Sequence, residues 1–413
     1  MRLDLRTRKK ITEEVSKRYR KAQKKERGRI LDEFCALTGY NRSYAACILR
    51  KKPGPRKGKR TLPVRPAPAG RQGRRPVYTN DVRKALLKIW AILNYPCGRR
   101  LVAVLPQVTE KLEKFGEISI SDAVREKLLS ISASTADRLL ASERRKIQIK
   151  SRSKTKPGTL LKHQIPIKTF ADWDDARPGF LEIDLVGHDG GNVSGEYCQS
   201  LDCVDVSSGW TEMRACRNKA QRWVFEAVDD VRASLPFPLA GVDSDNGGEF
   251  TGEPLAKYCE AGSITFTRSR PYRKNDSCFV EQKNYTAVRS YVGYLRYDSD
   301  EQLALLGELY RVLRPYLNFF QPQMRLVEKV REGSKVRKRY DQPRTPYQRL
   351  LESPHLDELA KRKLRRQYAG LNPAELARRI NTLQRRLYRI STPQVAGQTK
   401  EAGAEPGKRQ VAT

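Results

Sequence analysis

Residues 180–186, FLEIDLV, constrain the fold more than any other stretch of the chain. Side chains alternate along a strand, so Leu181, Ile183 and Leu185 face one way while Glu182, Asp184 and Val186 face the other. That pattern predicts a central strand, otherwise buried, with Asp184 inside it. An unpaired carboxylate in such a place is costly, so a compensating cation is expected beside it.

The segments that follow build a sheet around this strand. Residues 197–206 and 211–216 read as two more strands joined by a tight turn at Ser207, Ser208 and Gly209. A helix carrying Ala220, Val224, Ala227, Val228 and Val231 comes next, then a strand at 239–243, a helix at 253–261, a strand at 264–267 and a longer helix at 276–294. Three strands in a meander followed by alternating helices and strands predict an α/β sheet resembling the ribonuclease H arrangement.

Two further carboxylates fall where such a sheet collects ligands. Asp245 follows the apolar strand, in a loop with Asn246, Gly247 and Gly248 that permits close approach. Glu281 sits one turn into the helix capped by Asn275 or Asp276, and faces the sheet if Val280, Tyr285 and Val288 pack below. Each acid has an ordinary reading as well: Asp245 as a turn cap, Glu281 as a solvated helix residue beside Lys283, Asp184 as the partner of an arginine. Glu182 and Asp243 share strand parity with Asp184 and Asp245 and remain alternative ligands. His188, on the same parity, is expected to be a satisfied polar residue at the strand end.

The charge balance points to the substrate. Lys and Arg number 82 against 47 Asp and Glu, a formal net charge of +35, which favours a polyanion over an acidic small molecule. Tyr272, Arg273, Lys274, Asn275, Lys283 and Arg289 would form a basic, partly aromatic surface around the acids, suited to phosphates and splayed bases. No apolar run approaches the length of a spanning helix, and residues 1–10 are charged, so no membrane contact and a cytoplasmic, nucleoid-associated location are expected. Three scattered histidines and eight cysteines without a C-x-x-C pair leave no zinc module; the thiols are expected to be buried and reduced.

Two acid-free stretches divide the first part of the chain. Residues 53–76 carry eight Lys/Arg among Pro and Gly, and 144–168 carry nine. Between and before them lie small helical units. In the first, Ile30, Leu31, Phe34 and Leu37 share a helical face, Gly39 breaks the helix and Asn41 caps a second one bearing Arg42 and Tyr44. The second unit opens with the stripe Val82, Ala85, Leu86, Ile89, Trp90 and Leu93, continues with helices near 100–115 and 121–131, and ends in a short helix capped by Ser132 that presents Ser134, Thr135 and Arg138. Both read as helix-turn-helix modules for DNA, because each runs into a basic segment that can follow phosphates; plain helical packing is the competing reading.

The predicted organisation is multidomain, α plus α/β. It comprises a helix-turn-helix domain at 1–52, a basic linker at 53–76, a second helix-turn-helix domain at 77–145 and a second linker at 146–169. A ribonuclease H-like core follows at 170–298, then a helix with a small β hairpin or barrel at 299–351, a helical tail at 352–391 and disorder at 392–413. In the tail, Leu376, Ile380, Leu383 and Leu387 form a near-heptad seam that serves either self-association or docking on its own domain.

The segments FLEIDLVGH (180–188), GVDSDNGGEF (241–250), RPYRKNDSCFVEQKN (270–284) and YDQPRTPYQRLL (340–351) resemble those of bacterial DDE transposases with a retroviral-integrase-like core. The likeness covers roughly 150–351, and thirty-five residues separate Asp245 from Glu281. It implies that Asp184, Asp245 and Glu281 are the three metal-binding catalytic acids. The zinc-binding N-terminal module of retroviral integrases is absent, which leaves recognition of the element's ends to the helical units. Oxygen ligands alone select Mg²⁺ or Mn²⁺, and two such ions about 4 Å apart would promote strand cleavage by water and then attack of the freed 3′-OH on target DNA. Double-stranded DNA and further copies of the chain are the expected partners; with no P-loop present, any ATPase helper would be a separate protein. A DNA-binding regulator with an inactive core and a ribonuclease H-like nuclease without strand transfer remain as alternatives.

Overall fold

The computed structural model describes residues 5–50, 77–147, 177–244, 253–268, 278–332 and 335–392. The expected linker 53–76, most of 146–169, Asp245, Tyr272, Arg273, Lys274, Asn275 and the segment after Thr392 lie outside the described residues. The chain divides into two compact units between Arg75 and Pro76.

The first unit holds α1 (Leu5–Lys21), α2 (Lys24–Thr38) and α3 (Arg42–Arg50) around Tyr19, Ile30, Leu31, Phe34, Ala45 and Leu49. Gly39 ends α2 with φ 70°, a left-handed conformation that glycine adopts without a Cβ penalty, and its N–H returns to the Cys35 carbonyl. Asn41 Oδ1 accepts the Tyr44 N–H at 2.8 Å and caps α3. Leu37 departs from the expected inner face: it is 56% exposed, while Thr38 is buried in its place and donates to the Phe34 carbonyl.

The second unit begins with α4 (Asn80–Ile92), α5 (Gly98–Lys114), α6 (Asp122–Leu129) and α7 (Ala133–Ile147). Every member of the stripe from Val82 to Leu93 is buried. Ser132 does cap α7, but that helix runs for 15 residues and is not short. Its second half is held by Arg144, which donates to Asp137 at 2.8 Å and to the Pro96 carbonyl at 3.2 Å. At Gly98 the backbone of α5 lies so close to Ala133 and Asp137 that a Cβ would collide with both.

The α/β body follows with β1 (Phe180–Gly187), β2 (Gln199–Asp205), β3 (Thr211–Cys216), α8 (Gln221–Ser234), β4 (Gly241–Ser244), α9 (Glu253–Ala261) and β5 (Thr265–Arg268). The sheet order is β3-β2-β1-β4-β5, with β1, β2 and β3 antiparallel and β4 and β5 parallel to β1. This mixed five-stranded sheet is the arrangement expected from the meander and the crossovers, and is consistent with a ribonuclease H-like, integrase-like fold.

The helix expected at 276–294 is continuous over residues 278–292 but contains a wide turn. It consists of α10 (Cys278–Lys283), a π-helical turn (Asn284–Arg289) and α11 (Ser290–Val292), ending at Gly293. The wide turn changes the angular spacing of successive side chains. Val280 and Val288 are buried as expected, whereas Tyr285 is 62% exposed.

Next come α12 (Asp300–Phe320), β6 (Leu326–Glu332), β7 (Lys335–Tyr340), α13 (Pro346–Glu352), α14 (Glu358–Gly370) and α15 (Pro373–Arg389). A capping box of Ser299 and Gln302 starts α12. The small barrel is not formed: β6 and β7 pair only with each other among the described residues, and Val327, Val330 and Val336 are exposed. Leu376, Ile380, Leu383 and Leu387 of α15 are all buried, and α15 lies along α12, so this seam docks within its own unit.

Side chains stitch the α4–α7 module to the α12–α15 layer. Tyr316 donates to the Ile92 carbonyl at 2.8 Å and Gln321 to that of Leu93 at 3.0 Å. Lys111 is buried against Tyr368, its ammonium 4.2 Å from the ring centroid. Glu117 receives Arg378 through two bonds of 2.8 and 2.7 Å, and Asn372 at 2.7 Å.

Hydrogen bonding from Arg378 holds the Glu117 carboxyl down at about 2, helped by Asn372 and opposed by partial burial. This folded value lies below the unfolded one of about 4.3, so the contribution is complete above that pH and fades as pH falls toward 2. Replacing Glu117 by Gln is expected to cost about 1–2 kcal/mol at neutral pH, read as a lower Tm by calorimetry. The gap between variant and wild type should narrow below about pH 4 and close below about pH 2.

Candidate active site

The site forms on the acid-bearing face of β1, where α10 lands. Glu182 is completely buried, and its Oε2 accepts the N–H groups of Phe279 and Val280 at 2.8 and 2.9 Å. These belong to the first turn of α10, where backbone donors have no partner within the helix. A strand carboxylate therefore caps the helix that carries Glu281. Burial pushes the Glu182 carboxyl up to about 8; the two N–H bonds oppose this, and the nearby charges of Asp243 and Glu281 add to it.

Asp184, half-buried, is tied to the same helical segment. Its Oδ1 accepts the Leu185 N–H at 2.8 Å and its Oδ2 the side-chain amide of Asn284 at 2.5 Å. Segment 278–284 is thus fastened to β1 near both ends, with exposed Glu281 between the fastenings. As described, β4 ends at Ser244, paired with Ile183 and one residue before Asp245.

Two more acids share this face. Asp243 is the register partner of Glu182 and accepts the Thr267 hydroxyl at 2.7 Å. Asp202 is the register partner of Asp184 and is fully buried on β2. Burial raises the Asp202 pKa, Lys283 counteracts the rise and Asp184 adds to it; burial in turn lowers that of Lys283. Asp202 and Asn284 were not singled out from the sequence. The same alternation that marked Asp184 places Asp202 between Leu201 and Cys203, but which residues face one another across strands depends on register, which a single strand does not reveal.

The donor set is hard oxygen throughout, and among the described residues Glu182 Oε1 and both carboxylate oxygens of Asp202 have no hydrogen-bond partner. Such chemistry fits a divalent cation of the Mg²⁺ type. Among the described residues alone, no three acidic, histidine or cysteine groups gather closely enough to hold an ion.

The other expected site residues are distributed as follows. Lys283 is half-buried on α10 and faces the charge of Asp202. Arg289 donates to the Gly187 carbonyl at 2.6 Å and lies 4.8 Å from the Tyr294 ring centroid. His188 is buried, with Nε2 bonded to the Ser200 hydroxyl at 2.7 Å, which itself meets Tyr310; burial pushes the His188 pKa down to about 3. On α3, Arg42 pairs with Asp32 and Tyr44 is exposed, edge-on to Tyr40. On α7, Ser134 and Arg138 are exposed, and Arg138 donates to the Thr135 hydroxyl at 3.0 Å. Cys198, Cys203, Cys216 and Cys259 are buried free thiols, but Cys47 on the outer side of α3 and Cys97 at the start of α5 are exposed. Among the described residues no helix is long and apolar enough to cross a membrane.

Glu182→Ala would strip the cap from α10 and leave two backbone donors in a buried setting. A loss of about 2 kcal/mol is expected in urea unfolding, with faster amide exchange across 279–284. Glu182→Gln keeps an acceptor and should lose less than half of that.

No family model matches the chain. The structure is similar to the catalytic core domain of BIV integrase, with 18% identity, a TM-score of 0.28, and coverage of 43% of this chain and 96% of that one. For the HTLV-2 integrase catalytic core domain in complex with magnesium the identity is 14%, the TM-score 0.28, and the coverage 36% and 93%. For a chain of the simian T-cell lymphotropic virus intasome in complex with PP2A regulatory subunit B56 gamma they are 18%, 0.29, and 55% and 71%. The uncharacterized protein y4rM of Sinorhizobium fredii (strain NBRC 101917 / NGR234) is 38% identical over 348 residues, which span 84% of this chain and 96% of y4rM. With that identity across almost the whole relative, the chain belongs to the y4rM family.

Proposed function

We propose that this protein is a DDE-type transposase: it binds the ends of a mobile DNA element, cleaves strands there and joins the 3′-OH ends to target DNA. The observation that carries this reading is the double fastening of the Glu281 helix to the Asp184 strand through Glu182 and Asn284. A solvated helix glutamate and a chance strand aspartate would have no need of such a link. In this reading Asp184, Asp245 and Glu281 hold Mg²⁺ or Mn²⁺. Two bound ions would supply Lewis-acid activation of the attacking oxygen and charge stabilisation at the leaving oxygen.

The residues of the chain do the rest. Asn284, bonded to Asp184 Oδ2, aims that carboxylate and limits its rotamers. Glu182 fixes the height of Glu281 above the sheet. Tyr272, Arg273, Lys274, Asn275, Lys283 and Arg289 would line the path of the scissile strand, with Arg289 also bracing the end of β1. The helical regions 1–52 and 77–145 would act as helix-turn-helix modules on the element's ends, through Arg42 and Tyr44 in one, and Ser134, Thr135 and Arg138 in the other. Joining two ends calls for more than one copy of the chain on DNA. An ATPase, if used, would come from a separate protein.

The test is a strand-transfer assay with end-containing duplex and Mn²⁺, comparing wild type with Asp245→Ala. Joined product should fall at least a hundredfold in the variant. Equal product from both would defeat the reading, and hydrolysis without joining would favour a plain nuclease. In end-binding titrations Arg138→Ala should weaken affinity and lower the salt slope by about one charge; an unchanged slope would remove α7 from the interface.

A further inference from the structure

We propose that Asp202 is a fourth carboxylate of the divalent-cation site, with the ammonium group of Lys283 supplying positive charge nearby when no metal is bound. The proposal rests on the metal-dependent reading above and extends it to a residue outside the three acids.

Three observations support it. Asp202 stands directly across from Asp184 in the antiparallel β1–β2 register, a position that brings the two Cβ atoms to within about 5 Å on one face of the sheet. It is fully buried, yet neither of its carboxylate oxygens has a hydrogen-bond partner among the described residues. The cation whose charge reaches it is Lys283, two residues after Glu281 on α10, and no ion pair within 4.0 Å forms between them.

Elsewhere this fold completes its buried acids. Glu212, equally buried on β3, receives Arg314 at 2.6 and 2.8 Å, Arg214 at 3.1 Å and the Trp210 indole at 2.8 Å. Asp205 accepts Gly179 and Ser208 N–H groups at 2.8 and 2.6 Å. Asp202 has neither kind of support, and the group facing it is another carboxylate. Two carboxylates opposed across neighbouring strands, one of them fully buried, are stabilised by a cation placed between them. An ammonium on the helix that also carries Glu281 can occupy the neighbourhood of that position and withdraw when a divalent ion enters.

The experiment is calorimetric titration of full-length protein with Mn²⁺, in wild type, Asp184→Asn, Asp202→Asn and Lys283→Gln, each checked for folding by circular dichroism. Asp202→Asn is expected to bind at least tenfold more weakly. Lys283→Gln is expected to bind several-fold more tightly, because the competing ammonium is gone. If Asp202→Asn is too poorly folded to titrate, Lys283→Gln decides: tighter binding supports the assignment, and affinity equal to wild type overturns it. Asp202→Asn within twofold of wild type, while Asp184→Asn loses binding, overturns the role of Asp202 and leaves the three-acid reading intact. No Mn²⁺ binding by wild type overturns both.

Discussion

The arrangement of the site depends on one interaction, the capping of α10 by Glu182. A helix start has surplus N–H groups and a partial positive charge, and both are normally met by a residue just ahead of it. Here the acceptor comes from the central strand of the sheet. The position of Glu281 is therefore tied to β1, which is flanked on both sides by paired strands. Burying an acid is costly, and the opposing pull of two N–H groups offsets part of that cost.

Two faces of the same sheet show how differently buried charge is treated. On the side reached by α8, Arg214 of β3 bonds Ser234 at 2.8 Å and pairs with Glu212 and Asp230, so positive and negative groups are matched. On the side reached by α10, Glu182, Asp184, Asp202 and Asp243 lie on adjacent strands, and the charge of Lys283 reaches Asp202. Folding alone would favour the first pattern everywhere. Several acids gathered on one face are a stability cost of the kind that functional sites impose on their scaffold.

Much of this was legible in the amino-acid order. Alternation identified β1 and the meander, the stripe from Val82 to Leu93 identified α4, and Asn41 and Gly39 marked the turn between α2 and α3. What escaped was relational. Asp202 looks like any strand aspartate until register sets it opposite Asp184, and Asn284 looks like a helix residue until its amide is found on that carboxylate. The π-helical turn left no compositional mark, so Tyr285 was assigned to the wrong face. Helix α1, strongly charged along its length, carries too few apolar positions for its stripe to stand out. A seam such as Leu376–Leu387 looks the same whether it meets a second copy or the chain's own α12.

Helices α4–α7 share a continuous apolar interior with α12 and α15, and Tyr316, Gln321 and Arg378 lock the contact. A module hung on a tether can search; one welded to its neighbour works as a ruler. In the proposed function, a duplex gripped by α7 would lie at an offset from the acid face of β1 set by their packing in one compact unit, and that packing would set the distance in base pairs between a bound sequence and the phosphodiester presented for reaction.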